Sequence, residues 1–264
     1  MARFKTQEGF TLAELLIVVA ILGFVVAAVV GIYQVTQRSI LFASAGQDAQ
    51  AAVRAVLDRL ASDLRMINAG RSTTAGAITA ASPTSMTFLA DIDNDTLDSS
   101  GNDPVLTALA DAGATTVQVS STPGLSVGEL LSVADGPISE TQPIVAVSGN
   151  TVTLGAGLST WYSAGSVVRS VETVTYTYTP TASGGTLTQT VGVGAPQILA
   201  DNIQALQFTH WDGSTPPAQI ADLTTQANRD QIREIRVQIT TRSQSGDQAV
   251  SRNMSVTVRP RNLF

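Results

Sequence analysis

Three aspartates, Asp91, Asp93 and Asp95, occupy alternate positions in the segment ADIDNDTLDSSGND, and Asp98 follows three residues later. Alternate carboxylates of one loop are the oxygen ligands that a hard cation such as Ca²⁺ takes. The segment departs from an EF-hand, because Thr96 stands in place of its turn glycine and Asn102 in place of its bidentate acid. We predict Asp91, Asp93 and Asp95 as ligands of Ca²⁺ and expect no other cofactor. The alternative is a solvated turn.

A second pattern, G-x-S-x-G, surrounds Ser126 and is the nucleophile elbow of many hydrolases. That elbow requires a turn from a strand into a helix, together with a histidine base. Here Pro123 precedes the pattern and a strand is predicted after it, while His210, the single histidine, ends another predicted strand. We therefore interpret the chain as a non-enzyme, with a membrane-tethered hydrolase dependent on Ser126 as the alternative.

The composition limits the class of protein. A chain of 264 residues with 44% hydrophobic residues can bury a sizeable core, and the absence of cysteine excludes disulfides and thiolate metal sites. The formal charge of −6 and the dispersed arginines argue against general nucleic-acid binding. From residue 78 onward Thr, Ser, Ala, Gly and Val are abundant, which favours many short strands.

The candidate residues, namely the acidic segment, Ser126 and His210, must be positioned by strands. Short apolar or alternating runs predict an antiparallel, half-buried sheet. The predicted strands are 85–89, 115–120, 130–134, 144–147, 151–154, 167–178, 186–190, 203–210, 234–241 and 254–258.

A long helix is predicted ahead of the sheet. Apolar residues recur at three- and four-residue spacing in the stripe Ala49, Ala52, Val53, Val56, Leu57, Leu60, Leu64 and Ile67. No proline occurs before Pro83, and the residues 68–70, Asn-Ala-Gly, form a stop signal. We predict one helix over 10–67 whose second half packs on the sheet.

The first part of this helix is a membrane segment. Residues 10–33 are 24 residues with one charge, Glu14, and span roughly 36 Å as a helix. Arg3 and Lys5 precede the segment and place the amino terminus in the cytoplasm by the positive-inside bias. Everything after residue 33 is then exported.

The residues 9–16, GFTLAELL, resemble the processing site of type IV prepilins. The resemblance implies that prepilin peptidase cleaves between Gly9 and Phe10 and methylates the new amine of Phe10. It also implies that Glu14 pairs with this amine on a neighbouring subunit and so sets the axial register of a filament. The alternative is that Glu14 reaches the headgroup region of the bilayer.

Residues 57–70 resemble the end of the helix in PilW-like minor pilins and J-type pseudopilins, and residues 235–239 and 256–263 resemble the PilW-like carboxyl terminus. The resemblance implies an α+β pilin fold, a long spine helix on an antiparallel sheet. It also implies a minor pilin of a type IV pilus that helps to initiate or cap the filament. Its partners would be other minor and major pilins, prepilin peptidase and the inner-membrane assembly platform. The alternatives are a minor pseudopilin of type II secretion and an adhesive tip module.

The predicted organisation follows from these elements. Before assembly the chain would span the inner membrane once with a cytoplasmic amino terminus, and afterwards lie in the periplasm or in a surface pilus. Residues 104–170 read as an insertion that presents a binding surface or serves as a spacer. The predicted parts are a leader (1–9), the transmembrane and filament-core half of the helix (10–33), its amphipathic half (34–70), a pilin β-sheet domain (71–103 and 171–264) and an inserted β module (104–170).

Overall fold

The computed structural model describes residues 11–71, 73–97, 100–182, 184–245 and 248–263. A long, apolar amino-terminal helix is followed by a large antiparallel sheet, so the chain is α+β as predicted. The elements are α1 Leu12–Arg65, β1 Ile78–Ala81, β2 Ser85–Ala90, β3 Thr116–Gln118, β4 Leu130–Asp135, β5 Ile138–Ser148, β6 Thr151–Leu154, β7 Val167–Thr179, β8 Gly185–Val191, β9 Gln197–Trp211, α2 Gln226–Arg229, β10 Glu234–Ser245, β11 Gln248–Val258 and a 3₁₀ turn Arg261–Leu263.

The chain divides into two compact units. The first comprises Met1–Ala49 and Ser243–Val250, and the second comprises Gln50–Arg242 and Ser251–Phe264. In the first unit, the segment Leu12–Gln37 of α1 has 26 residues and is long and apolar enough to cross a membrane. None of the side chains in its most apolar window is buried. By length and composition this segment is suited to a membrane anchor.

The sheet has the strand order β11-β10-β9-β8-β7-β4-β5-β6-β3, and β2 adds to β7 with β1 beside it. The long strand β7 has two partners on one edge. Residues 167–171 pair with β4, and residues 172–177 pair with β2. Because β2 and β4 follow one another along the same edge, their ends come together next to Glu172.

A first hydrophobic core forms where the second half of α1 packs on the sheet. Most of the predicted helix stripe is buried: Val53, Val56, Leu57, Leu60, Leu64 and Ile67. Ala52 is exposed, and the side chain of Ala49 lies outside the described residues. From the sheet side this core receives Phe88, Tyr176 and Phe208, all at most 2% exposed. The apolar stripe therefore identified the packed face of the helix.

A buried polar cluster lies inside this helix-sheet interface. Asp63 is 6% exposed and accepts hydrogen bonds from the Tyr176 hydroxyl, from Gln189 Nε2 at 2.7 Å and from Arg59 Nε at 3.1 Å. A carboxylate that is buried among apolar residues is costly unless it has such donors. These donors therefore offset the cost of burying Asp63 and hold α1 in one orientation on β7 and β8.

A second core is formed by β3 to β6 together with the first residues of β7. Its buried members all lie between Leu106 and Val168, and include Leu131, Ile144 and Tyr162. Strand β4 connects this core to the rest of the sheet by pairing with β7. That residues 104–170 are an insertion into another fold stays a prediction.

The structure differs from the predicted strands at several ends. Strand β5 begins at Ile138, whereas the sequence predicts a start at 144. Its early residues, Ser139 to Gln142, are polar and half-buried, and their backbone pairs with β4. Strand β1 was not predicted at all. The early residues of β5 lack an apolar alternation, and β1 has only four residues, of which Ile78 alone is fully buried.

Candidate functional site

The amino-terminal end of α1 is closed by Thr11 and Glu14. The backbone N–H of Glu14 donates to Thr11 Oγ1 at 3.3 Å, while the backbone N–H and hydroxyl of Thr11 donate to Glu14 Oε2 at 2.9 and 3.0 Å. This reciprocal pair is a capping box, which satisfies helix N–H groups that have no partner inside the helix. The spacing Thr-x-x-Glu was visible in the sequence, but the prediction assigned Glu14 to a pairing with a neighbouring subunit, with the headgroup region of the bilayer as the alternative, and not to a helix cap.

The two residues of the predicted cleavage site, Gly9 and Phe10, lie outside the described residues. The structure therefore gives the site from Thr11 onward. Glu14 is exposed, and only its Oε2 takes part in the hydrogen bonds to Thr11. Its pairing with an amine of a neighbouring subunit stays a prediction.

The comparison with protein-family models bears on this end of the chain. Residues 4–30 match the prokaryotic N-terminal methylation motif. The chain is thus type IV pilin-like at its amino terminus, since this motif is typical of type IV pilins and pseudopilins. No significant match to the chain was found among curated proteins or among solved structures. The match ends within α1 and does not extend to the β structure.

Ser126 and His210, the two residues that the hydrolase alternative requires, lie in different parts of the β structure. Ser126 is exposed in a turn, and its backbone N–H donates to Glu129 Oε2 at 2.9 Å. The chain then enters strand β4, whereas a nucleophile elbow leads into a helix. His210 is 2% exposed on β9, and burial lowers its pKa to about 4. The pattern therefore lacks the local structure that gives it a catalytic meaning.

The acidic segment after β2 approaches a residue from a distant part of the chain. One carboxylate oxygen of each of Asp91, Asp93 and Glu172 lies within 4.8 Å of the other two. Asp91 directly follows β2, and Glu172 pairs with Ala90 across β2 and β7. The chain thus brings two predicted ligands, Asp91 and Asp93, together with a third acid that was not predicted.

The third predicted ligand, Asp95, lies beside the turn that contains Gly124. A side chain at Gly124 would collide with the carboxylate and backbone of Asp95. Burial raises the pKa of Asp95, and the charge of Asp93 adds to this shift. Asp95 is not one of the three acids whose oxygens converge, and its role as a ligand stays a prediction.

The pKa values of two acids in the cluster, Asp91 and Glu172, are raised by burial. Burial raises the pKa of Asp91, although its hydrogen bond from the backbone N–H of Asn94, at 2.8 Å, acts in the opposite direction. Burial raises the pKa of Glu172 to about 7, and the charges of Asp93 and Asp91 add to it against a hydrogen bond from Ile92 N. A cation placed among these carboxylates would reverse both effects.

Sequence reasoning missed Glu172 because 80 residues separate it from the segment it approaches. The available signal was a lone glutamate in the apolar run VVRSVETV of β7, where alternation places apolar side chains. A buried glutamate in such a strand needs a partner, and that requirement alone marks the residue for attention. The identity of the partner depends on strand pairing.

Proposed function

We propose that the chain is a minor pilin of a type IV pilus, a structural subunit that helps to initiate or cap the filament. The observation that carries this proposal is the methylation motif at residues 4–30, which overlaps the wholly exposed apolar segment Leu12–Gln37. In this proposal, prepilin peptidase cleaves the chain between Gly9 and Phe10. The subunit then leaves the inner membrane and joins other pilins on the assembly platform.

The exposed apolar side chains of the segment Leu12–Gln37 require a nonpolar environment that other molecules provide. Leu22 is 59% exposed, Phe24 82% and Val29 59%. Burying one such side chain is worth about 1.5–3 kcal/mol, so a row of them cannot remain in water. A lipid bilayer satisfies this surface before assembly, and the corresponding helices of neighbouring subunits satisfy it within a filament.

Cleavage supplies the charge that Glu14 needs in a filament. Hydrolysis of the bond between Gly9 and Phe10 converts an amide nitrogen into a cationic amine. A carboxylate in a nonpolar helix bundle costs roughly 2.5–3.5 kcal/mol without a partner, so its attraction to that amine favours one axial stagger of subunits. The capping hydrogen bonds of Thr11 hold Glu14 at the end of the helix where such an amine would approach.

The minor role is supported by the part of the chain beyond the motif. The segments 57–70, 235–239 and 256–263 resemble PilW-like minor pilins. In addition, the second core between Leu106 and Val168 adds bulk to the subunit. Such bulk suits a subunit at the end of a filament, since a repeated subunit must pack against neighbours on more sides. A long helix with its second half against an antiparallel sheet agrees with a pilin fold.

The test is intact mass with amino-terminal sequencing of the chain, recovered from cells with and without prepilin peptidase. A mature chain that begins with N-methylated Phe10 only in peptidase-positive cells is expected. The Gly9→Leu variant should keep its leader. Gly31→Leu is the matched control and should be processed, because it lies far from the cleavage site and a Cβ there meets no other part of the described chain within 4 Å. Retention of Met1 in peptidase-positive cells, or cleavage beyond residue 33, would refute processing as a prepilin.

A second experiment separates the pilus from a secretion filament. We expect deletion of the gene to reduce surface pili and complementation with the unchanged chain to restore them, while exoprotein secretion continues. Loss of exoprotein secretion with normal piliation would contradict the pilus assignment and favour a type II secretion pseudopilin. Glu14→Gln should fail to restore piliation although the chain is still cleaved.

A further inference from the structure

Three carboxylates converge where β2 and β4 meet beside β7. Oxygens of Asp91, Asp93 and Glu172 lie within 4.8 Å of one another, and these residues reach the point from two separate segments. Asp91 is 4% exposed and Glu172 is 2% exposed, whereas Asp93 is exposed and opens the cluster to solvent. The cluster is therefore a half-buried acidic site with one open side.

An unpaired buried atom points to a ligand at this site. Glu172 Oε2 accepts a hydrogen bond from the backbone N–H of Ile92 at 3.1 Å, but Glu172 Oε1 is buried and has no hydrogen-bond partner. Buried carboxylate oxygens nearly always have a donor or a metal ion, because an unsatisfied one costs several kcal/mol. Glu172 lies next to two further carboxylates, and a cation is a partner that all three can share.

The positive charge of Arg169, which lies near the cluster, is already paired with Asp103. Arg169 acts on Asp91 electrostatically, yet its Nε and Nη2 donate to the two carboxylate oxygens of Asp103 at 2.9 and 2.6 Å. This bidentate ion pair neutralises Arg169 and leaves the three carboxylates with excess negative charge. Among the residues that the structure describes, the cluster thus has no counter-charge that matches its own.

We propose that Asp91, Asp93 and Glu172 bind a Ca²⁺ ion at the junction of β2, β4 and β7. The ion would take the free Oε1 of Glu172 as a ligand, and water would complete its coordination on the side of Asp93. This site is independent of the proposed role of the chain in a filament, because it lies in the second unit and uses none of the processing residues.

Calcium suits this set of ligands better than magnesium. Ca²⁺ takes six to eight oxygen ligands at about 2.4 Å in a flexible geometry. Magnesium requires bonds of about 2.1 Å and a near-octahedral shell, and it usually retains most of its water. Three carboxylates that come from two separate segments, two of them buried, therefore suit the larger and more flexibly coordinated ion.

Binding of the ion would stabilise the contact between the turn that follows α1 and strand β2. After α1, the backbone N–H of Asn68 donates to the carbonyl of Leu89 at 2.8 Å, and that of Asp91 donates to the carbonyl of Ala69 at 3.1 Å. Gly70 has a φ of 78°, and a Cβ there would lie 2.8 Å from Asp91 Cβ. The site is thus built against the turn that follows the helix, and cation binding would stabilise this turn together with β2 and β7.

The test uses the full chain in detergent after removal of metal with EDTA and dialysis. Calorimetric titration with CaCl₂ should give one bound ion, and saturating CaCl₂ should raise the midpoint of thermal unfolding by about 5 °C. MgCl₂ at the same concentration should give a clearly smaller rise. Absence of Ca²⁺ binding at millimolar concentration, or an equal response to both ions, would overturn the proposal.

Two substitutions locate the ion. Asp93→Asn changes an exposed side chain and should weaken Ca²⁺ binding by about tenfold without unfolding the chain. Asp111→Asn is the matched control, because Asp111 is also exposed but belongs to another loop. Glu172→Gln should remove the Ca²⁺ response while leaving the metal-free midpoint equal or higher. Equal Ca²⁺ affinity in the Asp93 and Asp111 variants would refute this location.

Discussion

The two halves of α1 use similar apolar residues but expose them in opposite ways. Leu22 and its neighbours in the segment Leu12–Gln37 are exposed, whereas Leu60 and Leu64 in the second half have no exposed surface. The first half is apolar around its whole circumference, and the second carries polar residues on one side of an apolar stripe. A helix that is apolar all round requires a nonpolar partner on every side, which a bilayer or a bundle of subunits provides.

The largest difference between the halves should appear on truncation of one leucine. Leu60→Ala removes a side chain that is 0% exposed, and we expect it to lower the free energy of unfolding by about 2–5 kcal/mol. Leu22→Ala removes one that is 59% exposed, and the stability of the second unit should not change. Denaturant unfolding in detergent, followed by the fluorescence of the two tryptophans, measures both. Equal effects of the two substitutions on the free energy of unfolding would contradict the conclusion that only the second half of α1 packs in a core.

A smaller difference should appear on acidification, because the packed half lies on a sheet with a buried histidine. His210 follows Leu206 and Phe208 on the inner face of β9, and burial lowers its pKa from 6.5 to about 4. Between pH 6.5 and about pH 4, His210 is therefore protonated in the unfolded chain and neutral in the folded chain. The free energy of unfolding should fall by about 2 kcal/mol between pH 7.5 and pH 5 from this group alone.

The measurement is the difference between the unchanged chain and His210→Leu at each pH. This difference is needed because the pKa of Glu172 is raised to about 7, which gives a change of opposite sign over the same range. A carboxyl group with a raised pKa binds its proton in the folded state first and so adds stability as the pH falls. A variant whose stability changes with pH as the unchanged chain does would show that His210 is not the source.

The smallest effect belongs to the polar cap of the exposed half. Thr11→Ala removes the hydroxyl that accepts from the Glu14 backbone and donates to its carboxylate, and should cost about 1 kcal/mol at the first turn. Amide exchange at residues 12–15 in micelles should then be about fivefold faster. Thr36→Ala is the control, because the Thr36 hydroxyl donates to the Ile32 carbonyl inside the helix and lies far from the cap. An unchanged first turn would mean that the cap contributes nothing there.

The sequence predicted the elements that depend on neighbouring residues. The apolar run, the stripe on the second half of α1 and the alternation of β7 each lie within one segment, so their period could be counted. The helix end at Arg65 and the extended start of β5 were predicted less well. These boundaries depend on partners from other segments, such as β4 for the polar residues of β5.

By itself the sequence determined the methylation motif, the membrane-length helix and the α+β class, because short-range spacing and side-chain polarity suffice for each. Only the tertiary structure decided that Glu172 joins Asp91 and Asp93. That meeting depends on the register of β2 against β7, which places Ala90 opposite Glu172 across 80 or more residues of chain. Strand register is set by packing over the whole sheet, and no local pattern around either segment contains it.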